Sequence, residues 1–164
     1  MTILDRRRFL TVTAWAALLP AGNAPAADSD AAVSGAGAKK LPSALYFEAR
    51  NALAAGRTIT LGRVSLDLPR LAENGNSVTL KISVESPMTA ADHVKTIHLL
   101  SEQNPIATVA RFHLSPRSGR AFVSTSIRLA ATQNVHAIAE MSDGTLWEAQ
   151  AESIVLLAAC TDGG

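Results

Sequence analysis

Cys160 is the only cysteine among 164 residues, and it is the side chain here with the most distinctive chemistry. As a thiolate it is a nucleophile able to form and release a bond to another sulfur. Its neighbours are small or polar, with Ala158–Ala159 before it and Thr161–Asp162–Gly163–Gly164 after it. A slender segment of this kind could carry a bound group into a narrow site on another protein. The same position also suits a small apolar residue closing a last strand after Ile154–Val155–Leu156–Leu157. An odd cysteine in an exported chain indicates either a free reactive thiol or an intermolecular pair. Position alone does not choose between these readings.

Other reactive groups offer less. His93, His98, His113 and His136 fall on separate strands or turns, with no cysteine partner and no closely spaced pair. Zinc sites need such clustering, so these histidines read as strand-face or interface residues and no metal is expected. No Gly-x-Ser-x-Gly elbow supports a serine nucleophile. Gly62, Gly75 and Gly144 read as turn glycines rather than as a phosphate-binding loop. No catalytic residue and no cofactor is expected, and the chain reads as a non-enzyme.

The elements that would position Cys160 follow from the rest of the chain. Residues 1–26 read as an export signal. Arg6–Arg7–Arg8–Phe9–Leu10 precedes the apolar run Val12–Leu19, and Ala24–Pro25–Ala26 supplies a small-x-small cleavage site before Ala27. The run is shorter than the helix of about 20 residues that spans a bilayer, so no stable membrane association is expected after its removal. Two arginines followed by x-Phe-Leu match a twin-arginine signal, which exports folded proteins. Asp5 stands where a serine or threonine is usual, and an ordinary secretory signal shares most of the other features. The expected location is the periplasm.

Hydrophobic residues make up 48% of the chain and charged ones 18%, enough for a packed core. The formal charge is +1; without the leader, Lys+Arg falls from 15 to 12 and Asp+Glu from 14 to 13. No basic patch remains, so nucleic acid is not an expected partner. Residues 27–42, rich in Ala, Ser and Gly, read as a flexible linker. Ser43 is placed to cap a short helix that Gly56 stops, with Tyr46 and Phe47 covering one edge of the domain.

From Thr58 onward the period is two. Alternation marks seven segments: 64–68, 78–84, 94–99, 109–114, 122–129, 135–141 and 146–155. Glu73–Asn74–Gly75–Asn76, Ser86–Pro87, Asn104–Pro105, Ser115–Gly119 and Asp143–Gly144 separate them as turns. The expected fold is all-β, an immunoglobulin-like antiparallel β-sandwich over 43–157 with a short N-terminal helix and a flexible C-terminal arm at 158–164. A barrel is the alternative. Met88, Phe112, Trp147 and the alternating valines read as core or as a partner-binding sheet face.

The run Ser83–Val84–Glu85–Ser86–Pro87–Met88–Thr89, with Val94–Lys95–Thr96–Ile97–His98, resembles the SoxY family. So do Leu66–Asp67–Leu68–Pro69, Glu73–Asn74–Gly75, Asn104–Pro105, Ala110–Arg111–Phe112–His113, Ser124–Ala130 and Ala139–Gly144. The resemblance implies a periplasmic carrier of a thiosulfate-type sulfur oxidation system, paired with a SoxZ-like subunit. Sulfur would be attached covalently to Cys160, loaded by a haem-containing SoxAX-like enzyme and relieved of its sulfonate by a SoxB-like one. A sulfane dehydrogenase would oxidise what remains. Thiosulfate-oxidising members end in Gly-Gly-Cys-Gly-Gly, whereas this chain resembles a branch with Ala-Ala-Cys, an aliphatic residue and an acidic one. Thr161 replaces the aliphatic residue and Asp162 supplies the acid. Methyl groups at Ala158 and Ala159 restrict the backbone, and Asp162 disfavours thiolate by like-charge repulsion. Both differences imply another partner enzyme or sulfur substrate. The rival class is an exported, non-catalytic scaffold with Cys160 idle or disulfide-linked.

Overall fold

A computed structural model of the chain describes residues 40–159. In order, these form α1 (Ala44–Ala54), β1 (Ile59–Leu61), β2 (Val64–Asp67), β3 (Leu71–Asn74), β4 (Val78–Val84), β5 (Val94–Ser101), β6 (Thr108–His113), β7 (Phe122–Ile127), β8 (Gln133–Met141) and β9 (Leu146–Leu157). The large sheet runs β1–β9–β8–β5–β6, with β3 also paired to β9, and the small sheet runs β2–β4–β7. The result is an open β-sandwich, as expected, and not a barrel. Each of the seven alternating segments contains one of its strands.

Alternation in β4 buries Val78, Leu80, Ile82 and Val84 and leaves Thr79, Lys81 and Ser83 in solvent. These four meet Ile97, Leu99, Val135, Ala137, Ala139 and Met141 of the large sheet in the central core. A register shift in β5 between Val94 and Thr96 lets Val94 and Ile97, an odd spacing apart, both point into that core. Met88 is buried there too, with Phe112 and Trp147 packed against it, so all three belong to the core. β5 and β8 are buried almost throughout, because α1 covers the other face of the large sheet. There Tyr46 packs with Leu100, Ile138 and Leu146.

Two short strands escape the alternation rule. β1 runs parallel to the start of β9, and β3 runs parallel to its end. Between them the chain crosses to the small sheet as β2. Gly62 at φ 124° and Arg63 at φ 54° make the crossing. β1 is only three residues long, and β3, Leu71–Ala72–Glu73–Asn74, sets two apolar residues before two polar ones and so shows no alternation; Glu73–Asn74, read as turn, are its last residues. The turn itself lies at Gly75–Asn76, where the Asn76 N–H donates to Asn74 Oδ1 at 2.9 Å.

α1 begins as expected, with Ser43 Oγ accepting from the Tyr46 N–H at 3.2 Å. It ends on Ala55 in the left-handed region, just before Gly56. The helix lies on the outer face of the large sheet rather than along an edge of the domain: Tyr46 is 4% exposed, while Phe47 is half in solvent. Polar partners beneath it account for the difference. His136 Nδ1 lies 2.8 Å from Glu148 Oε1, and its Nε2 lies 3.1 Å from Glu102 Oε1. Arg50 reaches down from α1 to form a fork with both oxygens of Glu148, and the Tyr46 hydroxyl sits 3.3 Å from His136 Nδ1. Glu102 is completed by the Asn134 side-chain amide at 3.0 Å.

Burial pushes the Glu148 carboxyl up, but hydrogen bonds from His136 and Arg50 and their charges outweigh it and bring its pKa to about 2. A buried pair broken from one side leaves an uncompensated charge. Arg50→Ala is therefore expected to destabilise the domain by about 3 kcal/mol, the low end for such a loss because Arg50 is partly in solvent, measured by urea unfolding. The lowered carboxyl also sets a sign for pH. Its stabilisation is fully present above the ordinary value of 4.5 and is lost as pH falls toward about 2. Glu148→Gln should flatten the loss of stability across that window, measured as denaturation midpoint against pH; an unchanged slope would contradict the assignment.

Candidate functional site: the root of the cysteine-bearing segment

Cys160, the sequence-predicted attachment residue, lies outside the described residues with Thr161–Gly164, as do the leader and the linker up to Lys39. The structure does describe the chain that delivers it. β9 is twelve residues long and is hydrogen-bonded on both sides, to β8 along one edge and to β1 and β3 along the other. Its last residue, Leu157, precedes Cys160 by three positions in the chain.

The ordered contacts do not stop at Leu157, where the sandwich was expected to end. Ala158 is exposed, but Ala159 is 5% exposed and its N–H donates to the Leu129 carbonyl at 3.0 Å. Leu129, fully buried, was expected within a strand. That strand stops at Ile127 instead, which frees the Leu129 backbone to turn toward this junction. The Leu129 N–H donates to the Gly75 carbonyl at 2.8 Å, and the Gly75 N–H donates to the Leu157 carbonyl at 2.7 Å. Gly75 thus links β9 to the segment after β7.

A side-chain amide holds that segment in place. Asn104 Nδ2 donates to the Arg128 carbonyl at 2.8 Å, and Asn104 Oδ1 accepts from the Ala130 N–H at 3.0 Å and from Gln133 Nε2 at 2.9 Å. Thr132 Oγ1 accepts from the Val155 N–H at 3.0 Å. Asn104, read from sequence as a turn residue, is therefore a strut under the root of the arm. Thr132 and Gln133 were not singled out, and Leu129 only as the last residue of an alternating segment. Gly75, Asn104 and Leu129 fall in three of the segments resembling SoxY.

Of the histidines, His136 belongs to the network under α1, three residues along β8 from Gln133. His98 lies on β5 with Nε2 buried, unpaired, and 3.8 Å from Glu140 Oε2. Burial lowers its pKa, only partly offset by Glu140. His113 on β6 contacts the Thr96 hydroxyl at 3.1 Å, and His93 precedes β5. Among the described residues no group of three or more metal-ligating side chains is arranged to hold an ion. An open groove of about 470 Å³ lies between the edge strands β6 and β7, lined by Pro105, Ile106, Val109, Ile127 and Arg128. Ile106 there is 74% exposed.

Comparison with known proteins bears on this geometry. No curated protein sequence matches the chain. Among solved structures, the sulfur carrier protein SoxY from Chlorobium limicola f thiosulfatophilum is 26% identical with a TM-score of 0.55, over 66% of this chain and 96% of that one. Superoxide reductase (neelaredoxin) from Ignicoccus hospitalis is 22% identical with a TM-score of 0.51, over 57% of this chain and 80% of that one. The second likeness is one of fold alone. The model of the family described as sulfur oxidation protein SoxY matches residues 50–160, a span that starts within α1, takes in every strand and ends on the cysteine. This chain belongs to the SoxY family.

Proposed function

We propose that this protein is a non-enzymatic sulfur carrier of the periplasm, holding a sulfur intermediate covalently on Cys160. The observation that carries the reading is the family match, which runs through the sandwich and reaches Cys160 itself. The SoxY structure it resembles is that of a sulfur carrier. The body supports the role physically. A twelve-residue strand bonded along both edges ends three residues before Cys160, so the thiol-bearing residue follows closely on a firmly held strand.

The chemistry asked of the chain is limited. For a thiosulfate-type substrate, joining the Cys160 thiolate to the terminal sulfur forms one S–S bond and releases two electrons. The haem-containing SoxAX-like partner would accept them. Water then attacks the sulfonate sulfur in a SoxB-like partner, releasing sulfate and two protons and leaving a persulfide on Cys160. Carrying, not catalysing, is this chain's part. A SoxZ-like subunit is the companion the family implies, and export of the folded pair through the twin-arginine route would account for Arg6–Arg7 before Phe9–Leu10 on a chain for which no cofactor is expected. Asp162, two residues past the sulfur, disfavours the thiolate, so loading should depend on a partner that offsets this charge.

The central test is intact-mass analysis of the periplasmic protein from cells grown on thiosulfate. The expected result is an adduct on the C-terminal peptide that reductant removes and that Cys160→Ser abolishes without changing the melting temperature. Persistence of the adduct in Cys160→Ser would overturn the assignment. Export is tested separately: replacing Arg6 and Arg7 by Lys is expected to remove the protein from the periplasmic fraction, and an undiminished periplasmic yield would refute the twin-arginine route.

A further inference from the structure

We propose that Gly75 is a positioning residue for Cys160: together with the Leu129 carbonyl it clamps the chain at Ala159, so that the backbone is held up to the residue before the cysteine. The inference rests on the carrier reading of Cys160 and adds what sets the reach of the sulfur.

Gly75 is not a glycine for conformational reasons, since it is not among the residues at positive φ. Space explains it. A Cβ built there would lie 2.3 Å from the Leu129 carbonyl oxygen, 2.9 Å from the Ala159 nitrogen and 3.0 Å from Val155 Cγ1. The first two are backbone atoms of the very pair that holds the arm, so any larger residue must push that pair apart. Gly75 also bonds both sides of the junction through its own backbone, donating to Leu157 and accepting from Leu129. The acceptor for Ala159 is itself fixed, because Leu129 is fully buried and Asn104 ties down the residues on either side of it. The Ala159 methyl completes the clamp, in a residue that is 5% exposed.

The consequence is a short reach. Consecutive Cα atoms are about 3.8 Å apart, so with its own side chain the Cys160 sulfur stays within about 7 Å of the Ala159 Cα while the clamp is closed. An arm released back to Leu157 would gain two further residues, or about 7 Å more. A partner enzyme can therefore use the clamped arm only if its sulfur-handling centre lies close to its rim; a deeper centre requires the clamp to open. Ala159 thereby acquires a physical role, since a glycine there would have no methyl to bury.

The single cysteine makes the test specific. A nitroxide methanethiosulfonate label is placed on Cys160 of the full mature chain, and the line shape is read by electron paramagnetic resonance at room temperature. The clamp predicts a dominant slow-motion component in the wild type. Gly75→Ala should lose it in favour of a sharp three-line spectrum, with circular dichroism checking that the sandwich remains folded. Ala159→Pro removes the N–H that donates to Leu129 and places ring atoms where that nitrogen faces the carbonyl; because it lies beyond β9, it should lose the slow component too, even where Gly75→Ala fails to fold. A wild-type spectrum as sharp as that of the same protein in concentrated urea overturns the clamp, as does an Ala159→Pro spectrum identical to wild type. Absence of any sulfur adduct with a slow-motion label would refute the carrier reading and leave the clamp standing.

Discussion

The constraint on which the rest of this structure depends is that β9 is hydrogen-bonded along both edges. On one side β8 pairs with it antiparallel, residue against residue from Gln133–Ser153 to Glu140–Leu146. On the other, β1 and β3 lie end to end, each parallel to it. An edge left open there would expose unpaired N–H and C=O groups to chance pairing with other chains. Covering it with two short strands, which must leave the large sheet in between to become β2, ties the large sheet to the small one. The same arrangement holds the C-terminal strand from both sides to within three residues of Cys160.

The second organising feature is charge buried under the helix. Arg50 and His136 face Glu102 and Glu148 where α1 crosses the large sheet, and the two carboxylates and His136 are each almost fully buried. Buried ion pairs contribute little net stability compared with apolar packing, but they are intolerant of losing a member. Such a set suits a specificity role: it accepts only the arrangement in which Arg50 reaches Glu148 while Tyr46 reaches His136. A cluster of acids with a histidine can look catalytic. Here each member is fully engaged with another, and the cluster lies on the face of the sheet away from the central core, so its evident work is to dock the helix.

The likeness to superoxide reductase in fold illustrates why architecture alone does not name a function. A two-sheet sandwich supports unrelated chemistries, and what distinguishes members is the site placed on it. In this chain the distinguishing features are the cysteine at 160 and the junction of Gly75, Leu129 and Ala159 that precedes it. The junction is built from backbone hydrogen bonds and one missing side chain. It fixes the position of Ala159 without any added side-chain group.

Much of the fold was legible in the sequence because burial on one face of a strand writes itself as alternation, and seven segments long enough to show a period of two all proved to be strands. Ser43 as helix cap and the family resemblance were equally local, carried by residue types at fixed spacings. The cysteine was conspicuous by being alone. What the sequence did not disclose depends on contacts between distant residues. β1 has only three residues and β3 does not alternate, and both are strands through their pairing with β9. The position of α1 follows from Arg50 meeting Glu148, 98 residues away. Gly75 read as an ordinary turn glycine, since nothing in its neighbours reveals that Leu129 and Ala159 crowd its α-carbon. A missing side chain leaves no pattern along the chain. Its reason is visible only where the folded backbone closes around it.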